Sequence, residues 1–269
     1  MGNPETLGII AGNGVYPRLL ADAARRAGTQ QIVAAAFTDE TDDRLAALVD
    51  NIQWMRVGQL AKLISCFRNA GVAHAIMAGQ IAPKNLFDLR PDWKMLLLLA
   101  RLKRRNAESI FGAIGDELAR AGITLLPATS FLEDCLAPAG IIAGSRLSRR
   151  EEDDVAFGFE IAREISRLDI GQTVIVKNGT VLAVEGFEGT NEAIKRGGAL
   201  GGKNAIMVKV AKPNQDMRFD VPVIGMATVE VAAEARLRVI AIEAGRTLLL
   251  EKETLTESAA RSNITIVAR

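Results

Sequence analysis

The chain has 269 residues, 49% of them hydrophobic, and a formal net charge of +1. The length favours two domains, and the composition is sufficient for a large core. The near-zero charge excludes proteins that bind nucleic acid through a strongly basic surface, so we expect no nucleic-acid partner. An apolar run of about 18 residues or more and a signal-type N-terminus are both missing from the sequence, which predicts a cytoplasmic protein.

The chain contains one histidine, His74, and two cysteines, Cys66 and Cys135, far apart in sequence. A zinc site built from several histidines is therefore excluded, and any Ser/His/Asp triad would have to use His74. We interpret His74 as the packed start of a strand and both cysteines as reduced and buried. A metal enzyme with this composition needs mostly oxygen ligands, which favours Mg²⁺, with Mn²⁺ as an alternative.

The segment LGIIAGNGVYP, residues 7–17, predicts a buried strand, a glycine turn and a helix. Gly12 and Gly14 allow a tight turn around Asn13, and free amides at the helix start would attract an anion. The dinucleotide fingerprint needs a third glycine, whereas this series continues to Pro17. A different phosphate or nucleotide ligand, NAD(P), and a purely structural turn all remain open.

Strands at residues 31–36, 52–57 and 73–79 alternate with helices, which predicts a parallel sheet of Rossmann-like layout. The strand at 31–36 ends near Asp39, so an acid for a ribose is only loosely available. The last is followed by a loop at its carboxyl end, where open parallel sheets bind ligands. Its candidates are Gly79, Gln80 and Lys84; a solvated connection is the alternative.

The segment at residues 92–105 combines six consecutive apolar residues, 95–100, with Arg101, Lys103, Arg104 and Arg105 directly after them. It is too short to cross a bilayer. Three interpretations are open: a helix buried between domains or subunits, a wall for an acyl chain, and a patch that rests on anionic lipid.

A helix at 108–121 and a strand at 123–126 complete the first domain, and a proline- and glycine-rich stretch follows. We predict a Rossmann-like N-terminal domain at 1–132, a linker at 133–148, and a distinct C-terminal α/β domain at 149–269. The overall class is α/β. The second domain begins with an amphipathic helix at 149–168 and matches no common superfold by pattern.

Lys177, Asn178 and Gly179 lie between two apolar runs and predict a type I′ hairpin. After the hairpin, glycines and polar residues precede a helix near 192–200. They form either a phosphate or sugar cradle or a simple helix cap. A strand is predicted at 205–210, with Lys209 and Lys212 at or beyond its end. The candidates from this region are Gly189, Thr190, Asn191, Lys209 and Lys212.

The segment FDVPVIGMATVE, residues 219–230, predicts a strand and a loop before a helix that opens near Thr228 and Glu230. Several carboxylates are expected at strand ends or in loops of the second half, and cations accompany them. That combination suits phosphoryl transfer or pyrophosphate cleavage with a metal ion. The carboxylates are Glu185, Glu188, Asp220, Glu230 and Glu243; the cations are Lys177, Lys209, Lys212 and Arg218.

Five stretches carry a family resemblance: residues 7–17, AGQI at 78–81, VEGFEGTNEAI at 184–194, residues 208–230 and IAIEAGRTLLL at 240–250. Together they resemble the UDP-2,3-diacylglucosamine pyrophosphatase family of lipid A biosynthesis, of the LpxI type. The resemblance implies a Mg²⁺-dependent hydrolase that yields UMP and 2,3-diacylglucosamine 1-phosphate (lipid X), with water attacking the β-phosphorus. It also implies two domains around the lipid, a homodimer, and peripheral association with the inner membrane.

On this basis we predict the site residues. The catalytic set is Asp220, Glu230, Lys212 and position Ala227. The substrate-binding set is Gly12, Asn13, Gly14, Gly79, Gln80, Lys84, Lys177, Gly189, Thr190, Asn191, Lys209 and Thr228. The metal ligands are Asp220, Glu230 and Glu185.

Position 227 departs from the resemblance, because proteins similar to this one often carry a polar or acidic residue there, whereas this chain has Ala227. Our hypothesis is that an aspartate is missing and that the chain holds substrate with impaired turnover. The competing classes are a non-catalytic nucleotide-sugar or lipid binding protein and a Rossmann oxidoreductase, the latter disfavoured by the missing third glycine.

Overall fold

The computed structural model describes residues 3–81, 91–103, 106–213 and 215–269. The chain divides into two compact units. The first consists of residues 1–133 together with the short segment 216–220, and the second of residues 134–215 and 221–269. Within the described ranges, every helix is too short or too polar to cross a membrane.

The first unit contains a five-stranded, all-parallel sheet in the order β3-β2-β1-β4-β5. Both faces of its central strands are buried, because their sequences are nearly continuous apolar runs, as parallel sheets require. The predicted Rossmann-like layout is confirmed. The elements in chain order are β1 (Thr6–Ala11), α1 (Tyr16–Arg26), β2 (Gln31–Phe37), β3 (Asn51–Met55), α2 (Leu60–Asn69), β4 (His74–Ala78), α3 (Trp93–Arg101), α4 (Ala107–Arg120) and β5 (Thr124–Leu125).

Residues 216–220, from the second half of the chain, also belong to the first unit. The backbone N–H of Ala128 donates to the carbonyl of Met217 at 2.7 Å, and the ring of Phe219 lies 5.9 Å from that of Phe111 in α4. Hydrogen bonds from the Arg218 side chain lower the pKa of the Asp216 carboxyl against the opposing effect of burial. The segment is therefore held to the first unit by a backbone bond and a ring contact, and the ion pair between Asp216 and Arg218 lies within the segment itself.

The second unit is a three-layer α/β structure around a six-stranded sheet in the order β6-β13-β11-β9-β7-β8. Strands β9, β11 and β13 are parallel, and the other three pair antiparallel to their neighbours. A separate parallel pair joins β10 to β12. The elements are β6 (Gly140–Ala143), α5 (Arg149–Arg167), β7 (Thr173–Lys177), β8 (Thr180–Val184), α6 (Thr190–Gly201), β9 (Ile206–Lys209), β10 (Val223–Ile224), α7 (Met226–Glu234), β11 (Val239–Ile242), β12 (Leu248–Leu249), α8 (Lys252–Arg261) and β13 (Thr265–Ala268).

The two faces of this sheet pack against different helices, because side chains alternate along each strand. On one face, Ile206 and Val208 contact Val155 and Phe159 of α5. The opposite face packs against α6, α7 and α8, with Met207 of β9 in that cluster. The strands are thus buried on both sides.

Two local expectations differ from the structure. Part of the segment expected as a linker, residues 133–148, forms β6, which pairs with β13. The helix expected to open near Thr228 and Glu230 instead begins at Met226. Its start carries no side-chain cap and no acidic first turn, so the usual sequence signals of a helix N-terminus are missing.

The hairpin between β7 and β8 is confirmed, with positive φ at Asn178 (52°) and Gly179 (70°) as a type I′ turn requires. The buried Asp154 carboxylate of α5 accepts from the N–H groups of both turn residues, at 2.8 and 2.7 Å. Helix, turn and sheet are therefore joined at one buried side chain.

Replacing Asp154 with alanine leaves both turn N–H groups without their acceptor, so we expect the free energy of unfolding to fall by about 2 kcal/mol. Asp153, its exposed neighbour, provides the matched control: Asp153→Ala should stay within about 0.5 kcal/mol of the parent chain. Urea unfolding followed by circular dichroism measures both. Equal losses in the two variants would contradict this role of Asp154.

Candidate functional site

Strands β1 and β4 lie side by side where the strand order of the first sheet reverses, which is where open α/β sheets bind ligands. The loops that follow the two strands are hydrogen-bonded to each other. Asn13 N–H donates to the carbonyl of Gln80 at 2.7 Å, and Gln80 N–H donates back at 3.2 Å. Four predicted substrate-binding residues, Gly12, Asn13, Gly79 and Gln80, are thereby brought together.

The glycines at this contact are needed for the close approach of two backbones. A Cβ at Gly12 would lie 2.5 Å from the carbonyl oxygen of Gln80, and one at Gly79 would lie 2.5 Å from that of Asn13. Gly14 differs, because with φ of +93° it faces open space, with no described atom within 4 Å of an added Cβ. Gly14 precedes α1, whose start has no side-chain cap and has Pro17, which carries no N–H, in its first turn.

A buried acid that the sequence did not single out also borders this loop. Glu40 follows β2, and Asn13 Nδ2 lies 3.5 Å from its Oε2. Asp39, the acid considered from sequence, is exposed in a left-handed conformation. Asp39 and Glu40 both follow β2, where a dinucleotide fold places its ribose-binding acid, so spacing alone could not choose between them.

In the second unit, a buried carboxylate and a buried amine share one hydroxyl. Thr190 Oγ1 donates to Glu185 Oε1 at 2.8 Å and accepts from Lys209 Nζ at 2.9 Å. Glu185 is 8% and Lys209 6% exposed. Thr173, paired with Lys209 across β7 and β9, lies 3.5 Å from the same hydroxyl. Three predicted site residues, Glu185, Thr190 and Lys209, therefore form one cluster.

The loop between β8 and α6 surrounds this cluster. Gly189 starts α6 with φ of +86° and no side-chain cap, so the first-turn N–H groups, including that of Asn191, lack intrahelical acceptors. Hydrogen bonds from its own backbone N–H and from Arg196 keep the pKa of Glu188 below its usual range. Glu188 is therefore ionised and bound to Arg196, with a further bond from Gly186 N–H at 3.1 Å.

A second polar group lies beyond the carboxyl ends of β9 and β11. Lys212 Nζ bonds the Asp169 carboxylate at 2.6 Å. Glu243 Oε2 accepts from Ala211 N–H at 2.9 Å and lies 3.9 Å from Arg246. Because β9 and β11 are parallel, their carboxyl ends share one edge of the sheet with Lys209. Asp169 and Arg246 were not identified from sequence, since isolated charges carry no pattern.

Two buried polar atoms near this edge have no hydrogen-bond partner within the described part of the chain: Gln172 Oε1 and Gln215 Nε2. Gln172 adjoins the cluster, because its N–H donates to Glu185 Oε2 at 3.3 Å. Gln215 adjoins the second group, because its side-chain oxygen accepts from Lys212 N–H at 2.7 Å. Buried polar groups are rarely left unpaired, so these atoms are suited to a ligand or to water.

The remaining predicted residues lie elsewhere. Ala227, Thr228 and Glu230 belong to the first turns of α7, with Ala227 and Glu230 exposed and Thr228 buried. Asp220 is half-buried and belongs to the segment of the first unit. Lys177 is at the far end of β7 from Thr173, where Nζ caps the end of α6 through the carbonyls of Gly201 (2.7 Å) and Lys203 (2.9 Å). Lys84 lies outside the described residues.

The predicted metal ligands do not form a preformed cage. Among the residues that the structure describes, no three His, Cys, Asp or Glu side chains are placed to hold a metal ion together. Glu185 already accepts bonds from Thr190 and Gln172. These residues fit a Mg²⁺ ion only where one or two carboxylates suffice and phosphate oxygens and water complete the coordination.

Two solved structures show distant similarity to the chain. The chain is similar to the biotin carboxylase domain of the Hydrogenobacter thermophilus 2-oxoglutarate carboxylase, with a TM-score of 0.29, 13% identity and coverage of 65% of this chain and 35% of that one. It is also similar to the biotin carboxylase subunit of pyruvate carboxylase, with a TM-score of 0.28, 16% identity and coverage of 70% of this chain and 39% of that one. The chain spans less than half of either structure, and similarity at this level does not bear on function.

Comparisons of sequence give a match over nearly the whole chain. The model of the LpxI N-terminal domain matches residues 6–135, and that of the LpxI C-terminal domain matches residues 138–267. The chain is also 30% identical over 266 residues to the UDP-2,3-diacylglucosamine pyrophosphatase LpxI of Caulobacter vibrioides, covering 94% of this chain and 93% of that protein. The chain therefore belongs to the LpxI family.

Proposed function

We propose that this protein hydrolyses the pyrophosphate of UDP-2,3-diacylglucosamine in lipid A biosynthesis, yielding UMP and lipid X. The observation that carries the proposal is the match of both LpxI domains in order along the chain, together with the similarity to the Caulobacter enzyme over nearly its full length. The polar edge of the second sheet provides cations and free N–H groups of the kind that bind a diphosphate.

In the proposed reaction, a water oxygen bonds to the β-phosphorus, and the bond from that phosphorus to the bridging oxygen breaks. UMP leaves with the bonding electron pair, and lipid X retains the new oxygen. Negative charge on the diphosphate is stabilised by Lys209 and Lys212 and by the open start of α6 at Asn191. The proton released by water requires a carboxylate, for which Asp220 and Glu230 are the candidates.

We further propose that Mg²⁺ accompanies the diphosphate, with Mn²⁺ able to replace it. One or two carboxylates among Asp220, Glu230 and Glu185 would hold the ion, which supplies charge neutralisation to the phosphate oxygens. Because Glu185 is also bonded to Thr190, its carboxylate is the most constrained of the three.

The substrate is a diacylated lipid, so we propose that the protein works on the cytoplasmic surface of the inner membrane as a peripheral homodimer. The homodimer is a proposal taken from the family resemblance. Sedimentation equilibrium tests it directly, since the chain mass is 28.8 kDa and a dimer has twice that mass. A single species at the chain mass would contradict it.

A second candidate function, non-catalytic binding of a nucleotide sugar or lipid, is favoured by one observation. Position 227 lies in the first turn of α7 and carries no polar group, although a carboxylate is expected there from the family. A chain that lacks this group would retain the ligand-binding groups and lose turnover. An oxidoreductase is disfavoured, because a glycine is missing from the dinucleotide fingerprint at Pro17.

Purified protein should release UMP from UDP-2,3-diacylglucosamine in the presence of Mg²⁺ and stop on addition of EDTA, as followed by ³¹P NMR. In H₂¹⁸O, attack at the β-phosphorus places the label in lipid X. Label in UMP would contradict attack at the β-phosphorus. Absence of UMP release with either Mg²⁺ or Mn²⁺ would favour the binding protein over the hydrolase.

Thr190→Val keeps the branched shape of the side chain but removes the hydroxyl shared by Glu185 and Lys209. Both charged groups then lose a buried partner, so we expect turnover to fall by at least about tenfold and the free energy of unfolding to fall by about 1–3 kcal/mol. Thr190→Ser retains the hydroxyl and should preserve most of the turnover and most of the free energy of unfolding. A valine variant with unchanged kinetics and stability would exclude the cluster from substrate binding.

Ala227→Asp should raise turnover by about tenfold or more if a carboxylate is missing, while Ala227→Asn, of the same size but uncharged, should not. An acid in the first turn of α7 also faces the positive end of the helix dipole, which should stabilise the fold by about 0.3–1 kcal/mol. The steady-state rate and thermal unfolding separate the two effects. Gain in stability without gain in rate would overturn the missing-aspartate hypothesis.

A further inference from the structure

One helix of the first unit carries an apolar stripe that faces outward. Trp93, Leu96, Leu97 and Ala100 are exposed residues of α3 and lie on one side of it, at positions i, i+3, i+4 and i+7. The first three are 65%, 55% and 50% exposed. Met95 and Leu98, on the other side, are only 4% and 5% exposed. The four exposed residues are called the α3 face.

The orientation of α3 is fixed by its contacts rather than by its own sequence, which is apolar nearly all round. Asp92 Oδ1 accepts from Met95 N–H at 3.0 Å and caps α3, while Oδ2 accepts from Ala61 N–H of α2 at 2.6 Å. Lys94 Nζ is 3.3 Å from Glu117 of α4. With Leu98 in the core as well, the α3 face is held outward in the folded unit.

Cations follow the α3 face directly along the chain. Arg101 and Lys103 are both exposed. The sequence continues with two more arginines, which lie outside the described residues. Tryptophan and leucine beside lysine and arginine are typical of helices that lie in the interface of an anionic bilayer. Each cation near such a surface strengthens binding further.

We propose that the α3 face is the membrane-docking surface of this protein, with Trp93, Leu96 and Leu97 inserted among acyl chains and Arg101 and Lys103 on anionic headgroups. The proposal rests on the proposed function in one respect, since a diacylated substrate requires access to the bilayer. It goes further by naming the element that makes the contact and the class of lipid that it prefers.

Two other possible partners of the α3 face, a second copy of the chain and a single acyl chain, fit the observations less well. A second copy joined face to face about a two-fold axis would present this same α3 face, which carries no acidic side chain to pair with the flanking cations. A wall for a single acyl chain would be enclosed, because binding pockets bury most of their ligand's surface, whereas these side chains are half exposed or more. A lipid surface accommodates both the exposed apolar stripe and the flanking cations.

The chain has two tryptophans, so the variant Trp54→Phe leaves Trp93 as a site-specific fluorescent probe. We expect its emission to shift to the blue with vesicles containing roughly one third phosphatidylglycerol, to be quenched by brominated acyl chains, and to recover in high salt. Pure phosphatidylcholine vesicles should give a much smaller shift. No shift with anionic vesicles would overturn the proposal.

Variants on the Trp54→Phe background identify the contributing groups. Leu96→Ser with Leu97→Ser should weaken partitioning onto anionic vesicles by at least about tenfold. Arg101→Gln with Lys103→Gln should weaken it about fivefold per charge and reduce the salt dependence. Leu200→Ser, an equally exposed leucine of α6, is the matched control and should leave partitioning unchanged. Equal losses in all three would mean that binding is not specific to the α3 face.

The remaining outcomes distinguish the possible partners of the α3 face, and they distinguish the docking proposal from the proposed hydrolase function. A blue shift that rises with protein concentration without vesicles would indicate a second copy instead and overturn membrane docking. A shift with detergent-dispersed substrate that neither the detergent alone nor anionic vesicles produce would indicate an acyl-chain wall and overturn it as well. Hydrolysis of detergent-dispersed substrate by the Leu96→Ser, Leu97→Ser variant should equal that of its parent. Vesicle binding without any hydrolysis would refute the proposed function and leave the docking surface standing.

Discussion

Parallel strand pairing is the constraint on which both candidate regions depend. Neighbouring parallel strands end at the same edge of a sheet, so residues far apart in sequence are brought together there. Pairing of β1 with β4 joins the loops at Asn13 and Gln80. Pairing of β9 with β11 places Lys209 and Glu243 at one edge. The polar groups of each unit are therefore concentrated by backbone hydrogen bonding rather than by local sequence.

Burying the cluster of Glu185, Thr190 and Lys209 in a protein core costs free energy. Removing an ammonium and a carboxylate from water costs several kcal/mol per ion, and a shared hydroxyl recovers only part of this. The presence of this buried cluster is therefore weak evidence that it stabilises the fold. A ligand that brings its own negative charge toward Lys209, as a diphosphate does, would add a favourable interaction with that ammonium.

Much of the fold could be predicted from the chain alone, while the site could be predicted only in part. Glycine turns and apolar periodicity indicated the parallel sheet and the hairpin, because these signals are local. The start of α7 was misplaced, since Met226 follows no capping residue. Lys177 was grouped with the site cations because the sequence does not reveal that β7 runs antiparallel to β9, which places Thr173 rather than Lys177 beside Lys209. Glu40 was overlooked because burial is a tertiary property.

By itself, the sequence determined the α/β class, the division into two domains and membership of the LpxI family, because periodicity, turn chemistry and long motifs are all encoded by neighbouring residues. Only the tertiary structure decided that Thr190 lies between Glu185 and Lys209, and that Leu98 is buried while Leu97 faces solvent. Segment 95–100 is apolar on every side, so its own pattern could not select the outward face. Contacts of Asp92 and Lys94 with neighbouring helices made that selection.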